Sequence, residues 1–128
     1  ELIKKRGIEN KVFLLGYKKN IYSYMQKSSA FVLSSLWEEV GFVIVEAALC
    51  NSLVISSNCP NGPKEFLGNG KRGILFESNQ SKALFNSLKN FSKMDKNKIF
   101  ENKLSLKKEA KKYTIFKHYI ELNKILEL

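Results

Sequence analysis

Histidine is nearly absent from this sequence, cysteine is scarce, and no apolar stretch runs for long. His118 is the single histidine, and Cys50 and Cys59 are the only cysteines. One histidine gives no support to a Ser-His-Asp triad. Two cysteines without a Cys-x-x-Cys or a histidine at ligand spacing give none to a structural zinc site. Without a secretory leader in view, they read as free thiols of a reducing compartment. No run approaches the roughly 20 apolar residues of a membrane span. No Gly-x-Gly-x-x-Gly follows a strand-like run, which disfavours a dinucleotide-dependent oxidoreductase.

Arginine is the next shortage. Of 22 basic residues all but Arg6 and Arg72 are lysine, against 12 acids and a formal charge of +10. Readout of bases and phosphates favours the planar arginine fork, so the charge alone does not point to nucleic acid. The lysines are scattered, denser at Lys4-Lys5-Arg6, Lys107-Lys108 and Lys111-Lys112. They read first as solvated helix faces and second as a weak attraction to an anionic membrane surface.

What is present suits one domain. The 128 residues, 44% of them hydrophobic, suffice for a single core. The first residue is Glu1 and not Met, so the sequence is expected to be a fragment or a processed chain, shortened at its N-terminal side.

Four short apolar runs alternate with helical patterns. Val12–Leu15, Ala30–Leu33, Leu53–Ser56 and Gly73–Phe76 read as buried strands. Lys18–Ser28 carries Ile21, Tyr24 and Met25 at helical spacing. Phe42–Val45 is rich in strand formers, but Val45–Leu49 favours helix. Two parallel strands also need a crossover of a dozen or more residues, which Trp37–Cys50 supplies. A helix is therefore expected at about 41–50, beginning at the Gly41 turn. Asn58–Pro63 is a dense turn cluster, with Pro63 suited to open a short helix. Helices follow from Ser81, with Leu84, Leu88 and Phe91 on one face, then at Lys96–Lys112 and at Tyr113–Leu128. The last carries Phe116, Tyr119, Ile120, Ile125 and Leu126 as its apolar stripe. The fold class implied is α/β, an open parallel sheet with helices on both faces, Rossmann-like, closed by C-terminal helices.

Ligands in such folds bind at the carboxyl edge of the sheet. Leu33–Glu46 and the Cys59–Gly62 turn both fall there. A helix starting near Gly41 offers free N–H groups and the positive end of its dipole, an arrangement suited to a diphosphate. Glu46, about one turn into that helix, is placed to accept hydrogen bonds from vicinal hydroxyls, and Glu38 faces whatever is joined to the phosphates. The residues alone leave open that Glu39 and Glu46 are ordinary surface acids and Glu38 a helix-start acid.

Ser35-Leu-Trp-Glu38-Glu-Val-Gly41-Phe-Val-Ile-Val-Glu46-Ala-Ala resembles the Glu-x7-Glu motif of retaining nucleotide-sugar glycosyltransferases with the GT-B fold, the large group called glycosyltransferase family 4. Asn10–Gly16, Ala30–Ser35, Leu53–Glu65 and Gly73–Phe76 resemble that group's flanking segments in the right order, over roughly residues 8–90. The resemblance implies the C-terminal, donor-binding domain. Glu46 would hold the ribose hydroxyls, Glu38 would contact the donor sugar or its phosphate as the catalytic residue, and Val40, Gly41, Phe42 and Val43 would hold diphosphate and sugar through their backbone. It implies no metal and no cofactor beyond the nucleotide-diphosphate sugar itself. The acceptor, a polysaccharide or lipid-linked sugar, would be supplied through an N-terminal domain outside this sequence. The implied setting is cytoplasmic, or peripheral at the inner face of the cell membrane. The alternative is a non-catalytic remnant or nucleotide-binding module of a split or truncated enzyme.

Two departures stand out. The group's common form has Gly-Phe-Gly directly after the first acid, where this sequence has Glu39-Val40-Gly41. The common Gly-Gly before the proline is Asn61-Gly62 here. The basic pair that grips the diphosphate in that group is not matched. Lys18, Lys19, Lys64 and Arg72 are conceivable substitutes, each reading more simply as a surface residue. The isolated chain is accordingly expected to be inactive.

Overall fold

The computed structural model describes residues 1–126. In chain order the elements are α1 (Leu2–Lys5), α2 (Tyr22–Lys27), β1 (Ala30–Leu33), α3 (Phe42–Leu49), β2 (Leu53–Ser57), α4 (Pro63–Phe66), β3 (Ile74–Phe76), α5 (Ser81–Ser92), α6 (Lys96–Ala110), a 3-10 turn (Lys111–Tyr113) and α7 (Ile115–Leu126). The three strands form one parallel sheet in the order β1-β2-β3. Ala30 stands opposite Leu53 and Leu33 opposite Ser56, while Ile55 pairs with Ile74 and Ser57 with Phe76.

The centre of this sheet is its driest part. Every residue of β2 is buried. Because successive side chains point to opposite faces, such a strand needs cover on both sides. Helices α3 and α6 supply much of the core: Ile44, Val45, Ala47 and Ala48 from α3, and Leu106 and Ala110 from α6, cluster with Leu53, Val54, Phe66 and Leu67. The strand-forming Phe42–Val45 run is helical, as the crossover requires, since β1 and β2 are parallel neighbours. The α6 helix begins on Asp95, whose carboxylate accepts the backbone N–H groups of Asn97 and Lys98 at 2.8 and 3.2 Å.

One expected strand is not there. Val12–Leu15 has no strand pairing, and Phe13 and Leu14 are 70% and 85% exposed. An apolar run becomes a strand only where a neighbour accepts its backbone and a layer covers its side chains. Among the described residues neither meets this segment, and β1 forms one edge of a three-stranded sheet. The amphipathic stretch at Lys18–Ser28 likewise contracts to the six residues of α2, of which Met25 is the buried one. At the other end, the expected helix to Leu128 is seen from Ile115 to Leu126; residues 127 and 128 lie outside the described part. Its stripe is not core: Phe116, Tyr119 and Ile125 are strongly exposed.

Candidate functional site

The loop from Ser34 to Gly41 leaves the carboxyl end of β1 and turns into α3. Gly41 is buried and left-handed, with φ of 68°. That conformation lets the chain reverse into the helix without the steric cost a side chain would bring. No side chain caps α3, so the N–H groups of its first turn have no side-chain partner where the helix starts beside a buried glycine at the carboxyl edge of the sheet. Phe42 at the helix start is largely exposed and Val43 half-buried.

The two acids of the motif fall on either side of this turn. Glu46 lies in the second turn of α3, half-buried, and its Oε1 accepts the phenol of Tyr22 from α2 at 3.4 Å. Glu38 lies in the loop, half-buried, with Oε1 accepting the Ser35 hydroxyl at 2.5 Å. The exposed Glu39 carries its weight through its backbone, its carbonyl accepting Gly62 N–H at 3.1 Å. Val40 and Phe42 are exposed around Gly41. The predicted residues Glu38, Val40, Gly41, Phe42, Val43 and Glu46 thus sit on one continuous loop-to-helix unit.

Sequence reasoning missed the supports of this unit. Ser57, buried at the end of β2, donates its hydroxyl to the Ser35 carbonyl at 2.6 Å. Gly62 meets Val40 so closely that an added Cβ would stand 2.6 Å from the Val40 carbonyl carbon and nearer still to its oxygen. Asn58 then ties the β2 end to β3: its N–H donates to the Phe76 carbonyl, its amide to Glu77, and its Oδ1 accepts Ser78 N–H, each at 2.8 Å. The serine pairs that follow β1 and that close β2 were visible in the sequence. That the two strands are adjacent in register, which brings Ser57 beside Ser35, was not.

Of the basic residues considered for the diphosphate, Arg72 is already engaged. Its Nε donates to the Phe66 carbonyl at 2.9 Å, one terminal nitrogen donates to the Glu65 carbonyl at 3.0 Å, and the other lies 3.7 Å from Glu109. It is a clamp on the end of α4. Lys18, Lys19 and Lys64 are exposed on other segments. Nearby, Tyr113 packs edge-on to Phe66, with ring centroids 5.6 Å apart. Burial, then the carboxylates of Glu65 and Glu109, raise its pKa above the usual tyrosine value. Cys59 is buried and Cys50 half-buried, both as free thiols. No group of three metal-ligating side chains occurs among the described residues.

The chain as a whole has known relatives. The family model of glycosyl transferases group 1 matches residues 1–113. The chain belongs to that family. Its relatives include an N-acetylgalactosamine-N,N'-diacetylbacillosaminyl-diphospho-undecaprenol 4-alpha-N-acetylgalactosaminyltransferase of Campylobacter jejuni, 33% identical over 110 residues, covering 85% of this chain and 30% of the relative. The fold is also that of Anabaena HepE, solved in complex with UDP. The TM-score there is 0.85 at 23% identity, over 98% of this chain and 34% of the other. The C-terminal domain of a group 1 glycosyl transferase from Francisella tularensis superposes with a TM-score of 0.76 at 19% identity, over 89% of this chain and 60% of that one. This group 1 glycosyl transferase chain therefore has the fold of the C-terminal half of a GT-B enzyme. It spans about a third of the length of the Campylobacter relative and of HepE.

Proposed function

We propose that this chain is the donor-binding domain of a retaining glycosyltransferase that takes a nucleotide-diphosphate sugar and serves a polysaccharide or lipid-linked acceptor. The observation that carries the reading is the buried, left-handed Gly41 at the sheet's carboxyl edge, opening an uncapped helix between two half-buried carboxylates. The N–H groups of Phe42 and Val43 would bind the diphosphate, where the helix dipole favours negative charge. Glu46, steadied by Tyr22, would accept both ribose hydroxyls. Glu38 would contact the sugar, its carboxylate held by Ser35. As the bond to the sugar breaks, charge accumulates on the leaving diphosphate, and preorganised amides stabilise it there without reorganising. On this reading neither metal nor further cofactor takes part.

The UDP-bound HepE structure and the undecaprenol-linked name of the Campylobacter relative support a uridine nucleotide and a lipid-linked acceptor. An acceptor held at a membrane would place the enzyme peripherally at the inner face, assisted by weak attraction of the lysine-rich surface to anionic lipid. No helix of the described residues is long and apolar enough to cross a membrane. Because the chain spans only 30% of the Campylobacter relative and 34% of HepE, acceptor binding is assigned to a further domain, and this chain alone is expected to bind donor without transferring sugar.

Titration calorimetry of the 128-residue chain against UDP, GDP and their sugar conjugates tests the reading. Binding of one nucleotide series, weakened by about 10- to 100-fold in Glu46→Ala, is the expected result. Absence of binding to either series would reject donor recognition by this chain, and would favour the alternative of a non-catalytic remnant.

A further inference from the structure

The strand that ends beneath the motif loop does more than fill the core. Ser57 is 1% exposed, on the one strand whose residues are all buried. Its hydroxyl reaches across to the carbonyl of Ser35 at 2.6 Å, and the Ser35 hydroxyl in turn holds Glu38 Oε1 at 2.5 Å. On the far side of Glu38, the next carbonyl, that of Glu39, accepts Gly62 N–H at 3.1 Å from the turn that follows the same strand. The carboxylate thus stands between two tethers, three residues before it and one after. Both are anchored in β2 and its downstream turn.

We propose that Ser57 and Gly62 are positioning residues for Glu38, and that through them β2 sets the sugar-side geometry of the donor site independently of the nucleotide side. The nucleotide side rests on other supports: Glu46 belongs to α3 and meets Tyr22 of α2. Loosening the tethers therefore lets Glu38 wander while the helix start and Glu46 keep their places. A half-ångström displacement of a hydrogen-bonding carboxylate suffices to lose most of its directional contact. Glycine is required at 62 because the Val40 carbonyl occupies the space of a Cβ, which is how the turn comes near enough to hold Glu39. A hydroxyl is required at 57 because the Ser35 carbonyl is reached from a buried position where water does not substitute for it.

The inference rests on the donor-site reading for its chemistry, but its mechanical part is measurable without ligand. Hydrogen exchange and 15N relaxation by NMR on the full chain compare wild type with Ser57→Ala, Ser57→Thr and Ser35→Ala. Ser57→Ala is expected to lower the protection of Gly62 N–H by about tenfold and to mobilise Glu38 on the nanosecond scale, while the amides of β2 and α3 stay protected. Ser57→Thr, which keeps the hydroxyl, restores both. Ser35→Ala mobilises Glu38 without exposing Gly62. Calorimetry with UDP and with UDP-N-acetylgalactosamine or UDP-galactose then separates the two sides. The affinity for UDP stays within about twofold, while the additional affinity conferred by the sugar falls by roughly tenfold in Ser57→Ala. Unchanged Gly62 protection and Glu38 mobility in Ser57→Ala overturn the positioning role. A Ser57→Ala chain that unfolds leaves the near-isosteric Ser57→Cys, whose thiol is a poor donor, to decide: Gly62 protection and Glu38 mobility as in wild type overturn it equally. Wild-type chain that binds no nucleotide while showing the exchange pattern rejects the donor-site reading and keeps the tethers.

Discussion

The two glycines of the site are required for different physical reasons, and substitution separates them. Gly41 has φ of 68°, yet an added Cβ would find ordinary contacts, the nearest being Ile44 Cδ1 at 3.7 Å. Its requirement is conformational. Alanine there costs about 1–2 kcal/mol, the price of a left-handed L-residue. Asparagine tolerates that region better, and this chain already places Asn51, Asn61, Asn69 and Asn79 at φ between 55° and 68°. Gly41→Asn is therefore expected to cost about half as much as Gly41→Ala. At Gly62 the obstacle is contact. A Cβ 2.6 Å from the Val40 carbonyl carbon is far inside van der Waals separation. The 39–40 backbone must withdraw by about an ångström to restore it.

Overpacking of that kind costs about 1–3 kcal/mol, and losing the Gly62 N–H bond to Glu39 adds about 1 kcal/mol. Gly62→Ala should thus destabilise by about 2–4 kcal/mol, and the larger asparagine by more. The order of alanine and asparagine reverses between the two positions. Urea unfolding followed by far-UV circular dichroism reads the four values, with m held constant as the check on two-state behaviour. Thermal melts should move by roughly 3–5 °C per kcal/mol for a chain of this length. If asparagine proved milder than alanine at both sites, the close approach of Gly62 to Val40 would be wrong as the reason for that glycine.

Glu46→Ala is expected to weaken UDP binding by about 10- to 100-fold, the loss of hydrogen bonds to a charged acceptor, with Glu46→Asp intermediate, both by calorimetry. Arg72→Met leaves the carbonyls of Glu65 and Phe66 without their guanidinium donors. It should cost about 2–3 kcal/mol in urea unfolding, whereas Lys64→Met, on the exposed side of α4, should change stability by less than about 0.5 kcal/mol. Equal effects would show that Arg72 is no clamp. Tyr113 has its folded pKa raised, chiefly by burial, above the ordinary tyrosine value of about 10. The phenol is protonated in both states below pH 10, so its full contribution is present there. It is lost as pH rises from 10 through the folded pKa, because the unfolded chain releases that proton first. The stability of wild type minus that of Tyr113→Phe should therefore fall above pH 10 and be flat below it; a flat difference throughout would remove the burial argument.

Much of the loop-to-helix unit that makes up the candidate site was legible in the sequence. Gly41 ahead of an apolar helix, with acids before and after it, needs only the local periodicity and the crossover rule to be placed at a sheet's carboxyl edge. The Phe42–Val45 run shows why propensity alone was insufficient: its residues prefer strand, and the parallel pairing of β1 with β2 makes the segment between them a helix. Val12–Leu15 shows the opposite failure. Its composition is that of a strand, but composition describes what a segment gains if covered, and nothing among the described residues covers it. The stripe on α7 is another such case, a face suited to burial that is left exposed here.

The alternation of strands and helices from Ala30 onward, the turn at Gly41, the helix opened by Pro63 and the family were determined by the sequence itself, because each depends on residues close together in the chain. Tertiary structure decided which groups hold the site in place. Ser57 reaches Ser35, Gly62 reaches Glu39, Tyr22 reaches Glu46 and Arg72 closes α4 only because parallel strand pairing and helix docking bring distant segments within hydrogen-bond range. Hydrogen bonds need alignment to a few tenths of an ångström, and no periodicity along one chain encodes that between two segments.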